Sequence, residues 1–336
     1  MLDADFKAYY PVNRTNTSAH GGRMSNTQIV SAVQANVFAN KSSADRATGV
    51  IEYKKIYAKA ADDADAQLVV TRAFLSKVAE GDDWATIFAG NQTGTLADIT
   101  GWATGADSKT KYGVARVTTD VAAASRTVKV TVKSTKLLAA GVDRIFRVGG
   151  LVRLASDSNS EFLTISALSE NGLEITVTTT TDISRAYTVA TNSRLSSVLE
   201  IGTVATSSAV VGYTGGANYN YSGYAPLLDN IGTLEEQLLF TFADANNFTV
   251  TGDSLGALGS GTVSADFVVM NTALSKPMAT FYAAGWSGLT IAAGNTFTIQ
   301  LHPAATAIWE KRETPAGAAS ISYSNVQLTV TGEVVS

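Results

Sequence analysis

The feature that most constrains the fold of this chain is a series of short segments in which apolar and polar residues alternate, with turn residues between them. Residues 128–133 (VKVTVK) alternate strictly, and residues 173–178 (LEITVT) follow a hairpin signal at Asn171–Gly172. Alternation with a period of two gives a strand one apolar face, and Asn-Gly fits the tight turn between antiparallel strands. The pattern predicts a mainly β protein, with antiparallel β-sandwich or barrel domains and little helix.

Turn residues and glycines divide the chain into three predicted parts. Residues 1–25 contain Pro11 and end near the paired glycines Gly21 and Gly22, which predicts an extended, irregular N-terminal arm. Residues 113–200 are interpreted as an inserted small barrel or sandwich module. Residues 26–112 and 201–336 would together form one composite β-rich domain.

More detailed expectations follow from the same patterns. Residues 50–59 and 67–76 are two strand candidates separated by a turn, so they are expected to pair as a hairpin. In the module, apolar residues on the alternating strands are expected to form a core of their own. The predicted core residues are Val128, Val130, Val132, Phe162, Ile165, Ile175 and Val177.

Charge and cysteine content narrow the classes of function. The 336 residues include 25 Lys or Arg, 29 Asp or Glu and no Cys, and the formal net charge is −4. The lack of Cys excludes thiolate metal sites, and the acidic balance indicates neither nucleic acid nor a membrane surface as a partner. No apolar run could span a bilayer, and acids stand where a signal peptide would be basic, so we expect synthesis in a cytosol. A low charged fraction of 16% suits a surface covered by neighbouring subunits, although a neutral soluble domain would share it.

The residue types that perform catalysis are scarce and far apart. His20 lies in a glycine-rich segment and His302 precedes Pro303, so neither a Ser-His-Asp device nor a histidine metal site is indicated. Two acidic clusters resemble parts of a calcium loop and a glycosidase carboxylate pair, but solvated turns are the favoured interpretation. These clusters are Asp62, Asp63 and Asp65, and Glu80, Asp82 and Asp83. The sequence therefore predicts no catalytic residue, no cofactor and no metal ion.

Two groups of residues are candidates for contacts with other molecules. Trp309 precedes a run of alternating charges, a composition typical of an interface anchor with its polar rim. A Tyr-, Gly- and Asn-rich stretch has the composition of a binding loop, with packing against a neighbouring subunit as the alternative. The candidate interface residues are Tyr9, Tyr10, Arg23, Trp309, Lys311 and Arg312. The candidate binding-loop residues are Tyr213, Tyr219, Tyr221 and Tyr224.

Several segments, scattered over most of the chain, together carry a resemblance to a known family. In the N-terminal part they include residues 20–25 (HGGRMS), 45–49 (DRATG), 52–57 (EYKKIY), 81–84 (GDDW) and 88–93 (FAGNQT). In the C-terminal part they are residues 227–232 (LLDNIG), 302–305 (HPAA), 308–312 (IWEKR) and 315–319 (PAGAA). These segments resemble structural proteins of tailed-bacteriophage virions. The resemblance implies a virion component without catalytic residues, and the central module resembles small barrel insertions of such proteins.

This resemblance sets the functional expectation. It implies a protein that assembles in the bacterial cytoplasm with copies of itself and with neighbouring virion proteins, in the tail, neck or baseplate. The alternatives are a head decoration protein and a fibre-type module that binds a host-surface glycan through the tyrosine-rich loop. Strand addition by the N-terminal arm is one expected route to the subunit contacts.

Overall fold

The computed structural model describes residues 6–31, 33, 35–60, 68–202, 204–215, 219–286, 290–321 and 325–334. This part of the chain contains 22 strands, one α-helix and five 3-10 helices, and its sheets are antiparallel. The predicted mainly β class, with sandwich and barrel units and little helix, is confirmed. The turn acids Asp62, Asp63 and Asp65 lie outside the described residues.

In chain order the first strands are β1 (Phe6–Asn13), β2 (Gly21–Ile29), β3 (Val50–Ala60), β4 (Leu68–Leu75), β5 (Trp84–Ala89), β6 (Val114–Val117), β7 (Thr127–Thr131), β8 (Leu151–Ala155), β9 (Ser160–Asn171), β10 (Glu174–Thr179) and β11 (Arg194–Ser197). The remaining strands are β12 (Leu199–Glu200), β13 (Thr206–Ser207), β14 (Leu227–Leu228), β15 (Glu236–Phe242), β16 (Asn247–Gly252), β17 (Gly256–Thr262), β18 (Phe267–Asn271), β19 (Lys276–Phe281), β20 (Thr296–His302), β21 (Ala305–Thr314) and β22 (Leu328–Val334). Helix α1 is Ser43–Thr48, and the 3-10 helices are Leu96–Asp98, Trp102–Thr104, Thr135–Leu137, Val189–Thr191 and Ala283–Trp286.

Five strands form what we call the main sheet, in the order β2-β1-β3-β21-β5. Strand β21 lies between β3 and β5, and β22 pairs with β4 in a smaller sheet ordered β12-β4-β22. Residues from before and after the central segment therefore share two sheets. The predicted hairpin between residues 50–59 and 67–76 is wrong, because β3 is paired on both edges, with β1 and with β21.

The N-terminal segment is a strand where an irregular arm was predicted, so that prediction is wrong for residues 6–13. Strand β1 pairs with β2 on one edge and β3 on the other. Pro11 lies between two register shifts in the β1–β2 ladder, a place where its missing N–H is tolerated. Gly21 and Gly22 begin β2 with φ of 115° and 79°, values that suit glycine.

Six strands close into a barrel in the order β10-β7-β6-β11-β8-β9. Their alternating residues point inward, and six of the seven predicted core residues are buried: Val128, Val130, Val132, Ile165, Ile175 and Val177. Phe162 is the exception, since its ring lies outside the barrel core and packs against Phe74 of β4 at 6.2 Å. Trp84 of β5 joins the barrel core from outside the predicted module. The barrel strands lie within residues 113–200, and independent folding of that segment stays a prediction.

Two further sheets pack together in the C-terminal part, ordered β13-β20-β15-β16-β17 and β14-β19-β18. Their shared core is rich in aromatic rings. Phe240 stacks on Phe297 with ring centroids 4.5 Å apart and meets Phe281 edge-on at 4.8 Å. We call this unit the aromatic sandwich.

Candidate functional site: a buried charge cluster

Five polar residues from distant parts of the chain meet where the barrel adjoins the main sheet, and we call them the junction cluster. They are Tyr53 on β3, Asp107 and Lys111 in the loop before β6, Asp143 before β8 and Lys311 on β21. None of the five is more than 4% exposed. Buried charges of this kind need partners, because each has lost its hydration.

The junction cluster supplies those partners internally. Lys311 Nζ donates to Asp143 Oδ2 at 2.6 Å and to the Gly105 carbonyl oxygen at 2.7 Å. Lys111 Nζ donates to Asp107 Oδ1 and lies 3.9 Å from Asp143 Oδ1. The Tyr53 hydroxyl donates to Asp107 Oδ2 at 2.7 Å. Two amines and two carboxylates thus bridge the barrel, the loop and the main sheet.

Burial and pairing shift the protonation equilibria in opposite directions. Burial lowers the pKa of Lys111, although its hydrogen bond to Asp107 opposes this. Burial by itself would raise the pKa of Asp107, but hydrogen bonds from Lys111 and Tyr53 outweigh it and leave that pKa lowered. Burial and the bond to Asp107 raise the pKa of Tyr53, which keeps its hydroxyl protonated. Removing one member would leave a charge buried without its partner, which is strongly destabilising.

A second polar group on the main sheet surrounds Lys55. Its Nζ donates to the carbonyl oxygens of Gly22 and Gly94 at 2.9 and 2.8 Å. His20 Nε2 accepts the Lys55 backbone N–H at 2.9 Å, so the ring proton sits on Nδ1, which faces the Thr15 carbonyl oxygen at 2.9 Å. Burial, together with the charge of Lys54, lowers the pKa of His20 to about 4. His20 is therefore a neutral hydrogen-bonding residue that joins the start of β2 to β3.

The structure corrects the predicted role of Trp309 and Lys311 as a surface anchor and its rim. Both are only 2% exposed. Trp309 stacks on Phe88 at 6.4 Å and meets the His20 ring edge-on at 5.7 Å. The reason is topological, because β21 is paired on both edges and its side chains are covered by other parts of the same chain.

The other candidate interface residues also make contacts within the chain. Arg312 donates to Glu52 at 2.6 Å, and Arg23 forms an ion pair with Asp253, just after β16. Tyr10 donates to the Asn36 carbonyl oxygen at 2.6 Å, and Tyr9 on the same strand is half-buried. Contacts of Tyr9, Tyr10, Arg23 and Arg312 with other subunits stay predictions.

The tyrosine-rich segment is only partly available for binding. Tyr219 is 1% exposed, accepts the Tyr282 backbone N–H at 2.9 Å and meets Trp286 edge-on at 4.7 Å, so its predicted role in a binding loop is wrong. Tyr221 is half-buried and donates to the Ser207 carbonyl oxygen at 2.9 Å. Tyr213 and Tyr224 are 59% and 39% exposed. The tyrosine-rich composition does not separate the core residue from the exposed ones.

A cavity of about 260 Å³ opens beside His20 at the outer part of the main sheet. Its charged lining residues are already engaged: Arg14 lies over the Tyr10 ring at 4.2 Å, and Glu52 pairs with Lys41 at 2.6 Å. These charged groups of the lining are therefore already paired within the chain.

His302 and Glu235 form a further pair, with Nδ1 and Oε2 2.8 Å apart. Burial raises the pKa of Glu235, and the hydrogen bond with His302 opposes the rise. Among the described residues no hydroxyl group hydrogen-bonds to His302, so the pair lacks the nucleophile that catalysis of acyl transfer requires. It ties β20 to the segment before β15.

No group of three or more His, Asp or Glu residues in the described ranges is placed to hold a metal ion. No helix in the described part of the chain is long and apolar enough to cross a membrane.

Comparison of the chain with protein-family models, with curated proteins and with solved structures finds no match.

Proposed function

We propose that this protein is a structural subunit of a tailed-bacteriophage virion, which assembles with copies of itself and with neighbouring virion proteins. The patchwise sequence resemblance supports a virion role. Within the particle, we favour the tail, neck or baseplate over decoration of the head. The observation that most supports assembly is the open edge strand β17 of the aromatic sandwich.

Strand β17 has the properties of an edge that can pair with another chain. It reads GALGSGT, without charge or proline, and it ends its sheet with β16 as its only hydrogen-bonded neighbour among the described residues. Ala257 and Ser260 on it are exposed. The edge strand β18 of the opposite sheet also presents apolar side chains, with Val268 and Met270 41% and 38% exposed. Monomeric proteins usually protect such edges with lysine, proline or covering segments.

The route to assembly therefore differs from the one predicted for the N-terminal arm. Strand β1 is paired on both edges within its own chain, which leaves no edge for strand addition. Strand β17 can instead receive a strand from a second copy, in the manner of β-augmentation.

Polar links between the units also make the subunit suitable as a building block. Arg23 on β2 pairs with Asp253 in the aromatic sandwich, and Lys59 Nζ on β3 donates to the Ile231 carbonyl oxygen at 2.6 Å. Lys311 and Asp143 join the main sheet to the barrel. Fixed geometry between units favours repeated, symmetric interfaces. Glycan binding has weaker support, because Tyr219 and Tyr221 are engaged inside the chain.

Light scattering after size exclusion tests assembly through β17. We expect the purified chain to form multimers, and Ala257→Lys with Ser260→Lys to shift them towards monomer because the added charges block strand pairing. The matched control places two lysines on the neighbouring strand β16, at the exposed positions Thr249 and Thr251, where both edges are already paired. A wild-type chain that stays monomeric at every concentration, or multimers unaffected by the β17 substitutions, would contradict assembly through this edge.

The virion assignment has a separate test. Antibodies against the chain should label tailed particles purified from the strain that carries its gene. Intact particles that contain no such chain would contradict the virion role while leaving assembly in solution unaffected.

A further inference from the structure

The junction cluster combines groups that an ordinary buried ion pair does not need. The amine of Lys111 contacts one carboxyl group, that of Asp107, and lies 3.9 Å from a second, that of Asp143. Asp143 Oδ1 has no hydrogen-bond partner among the described residues, although the side chain is fully buried. A carboxylate oxygen next to the amine is thus available to accept a proton.

We propose that Lys111 and Asp107 condense into an intramolecular isopeptide bond, with Asp143 as the proton acceptor. The neutral Nζ of Lys111 attacks Cγ of protonated Asp107, a C–N bond forms, and the bond from Cγ to the hydroxyl oxygen breaks. Asp143 takes a proton from Nζ and returns it to the departing hydroxyl, which leaves as water. The amide replaces one amine and one carboxylic acid, so no oxidant, reductant or other reactant is consumed.

The reaction requires both partners in their uncharged forms. Burial favours the neutral amine of Lys111, whereas the hydrogen bonds from Lys111 and Tyr53 favour ionised Asp107, so the uncharged pair is a minor species from which the reaction proceeds. Proton transfer from Lys111 to Asp107 along their hydrogen bond produces an amine and a carboxylic acid together. In water the ion pair would be far more stable, but burial removes the hydration that stabilises it. Burial also lowers the pKa of Lys111. The ring of Phe88, whose centroid is 4.4 Å from Lys111 Nζ, covers the amine on one side.

Tyr53 supplies the stabilisation that the transition state needs. Its hydroxyl donates to Asp107 Oδ2 at 2.7 Å. When Nζ attacks Cγ, negative charge develops on this oxygen, and a donor already in place stabilises it. Asp143 need only approach Nζ from 3.9 Å to hydrogen-bonding distance, a tightening that commonly accompanies proton transfer.

The second buried pair, Lys311 with Asp143, lacks these features. Lys311 Nζ donates to Asp143 Oδ2 and to the Gly105 carbonyl oxygen. No hydroxyl donor among the described residues is bonded to Asp143 to polarise its carboxyl group. Lys311 is a positioning residue, because its bond to Asp143 directs the other carboxylate oxygen towards Lys111.

Mass spectrometry of the purified full-length chain under denaturing conditions tests the bond. We expect an intact mass below the sequence mass by one water molecule. Trypsin should then release residues 78–109 joined to residues 110–116 through side chains, because Lys109 is cleaved and the blocked Lys111 is not. This branched peptide separates the isopeptide from dehydration at a single aspartate.

Variants assign the roles. Lys111→Arg should restore the full sequence mass, and so should Asp143→Asn, which keeps the side-chain shape but removes the proton acceptor. The matched control is Lys129→Arg, from the exposed Lys129–Glu174 pair on the barrel, which should keep the mass deficit. A wild-type chain of full mass would overturn the proposal, whether or not any variant folds. A deficit that persists in Lys111→Arg, or that maps to Lys311 and Asp143, would do so as well.

Discussion

The aromatic sandwich and the main sheet are both antiparallel β structures, but different interactions stabilise them. The sandwich core is built from rings such as Phe240, Phe281 and Phe297, all fully buried. The main sheet buries charged groups among its apolar residues, and these are Lys55, Lys59, Glu310 and Lys311, none more than 8% exposed. Apolar burial stabilises without direction, whereas each buried charge requires a particular partner.

This difference indicates which part of the molecule fixes the arrangement of the units and which part responds to pH. The buried charges of the main sheet fix how the loops and the barrel are placed on it, through named acceptors such as the Gly22, Gly94 and Gly105 carbonyl oxygens. Burial also lowers the pKa of Lys55 to about 7 and that of Lys59 to about 8, and raises that of Glu310 to about 7. Three groups of one sheet therefore titrate near neutral pH.

The largest expected effect is on the aromatic sandwich. Phe240→Ala removes a ring that contacts Phe248, Phe281 and Phe297, and it should lower the free energy of unfolding by about 3–5 kcal/mol. Leu239→Ala, next to it but 38% exposed, is the matched control and should cost under about 1 kcal/mol. Urea unfolding with amide exchange of peptides from residues 236–301 measures both. If peptides of the main sheet lose protection equally, the two regions are one cooperative unit and the comparison fails.

The next effect concerns Lys55. Lys55→Met keeps the length of the side chain but leaves carbonyl oxygens without their donor, so we expect a loss of about 1–3 kcal/mol near pH 10, where deprotonation of Lys55 on folding costs the wild type little. In the wild type between pH 7 and 10.5, the Lys55 amine is protonated in the unfolded state and neutral in the folded state. The free energy of unfolding should therefore rise with pH in this range. The slope per site is at most about 1.4 kcal/mol per pH unit.

The Lys55→Met substitution should flatten this rise, most clearly between pH 7 and 8, because Lys59 adds its own rise only above pH 8. Lys129→Met on the exposed face of β7 is the control and should leave the pH profile unchanged. Unfolding curves at half-unit pH steps provide the measurement. An unaltered slope in Lys55→Met would show that the Lys55 amine stays charged on folding.

The sequence predicted the barrel well and the main sheet poorly, for a physical reason. Strict alternation at Val128, Val130 and Val132 identifies one buried face, and it is enough to place the strand. On β9, Phe162 and Leu163 are adjacent and apolar, so alternation does not decide which of them faces inward. Only the barrel closure places Leu163 inside and Phe162 against Phe74.

The strand pairing of the main sheet was not predicted, because its strands pair over long sequence distances. The run Glu310–Glu313 has the charge pattern of an exposed segment, yet β21 lies between β3 and β5 and its charges meet partners from the loop and the barrel. The five residues of the junction cluster come from four separate segments, and no local pattern connects them. The one available signal was alternation itself, since Trp309, Lys311 and Glu313 lie on the same face of the sheet as their cross-strand neighbours Tyr53 and Lys55.

The smallest effect we predict is a gain at Glu310. Its carboxyl group binds a proton in the folded state that the unfolded state has lost between pH 4.5 and 7, so wild-type stability falls as pH rises through that window. Glu310→Gln stays neutral and should equal the wild type at pH 4 but exceed it by at least about 1 kcal/mol at pH 8. The opposite pH effect of His20, which acts between pH 4 and 6.5, is common to both proteins and cancels in the difference.

Glu174→Gln, at an exposed pair on the barrel, is the matched control and should show no gain at either pH. If Glu310→Gln is instead less stable than the wild type at pH 8, Glu310 is ionised and paired with Arg312. The main sheet would then contain one buried ion pair more and one titrating group fewer.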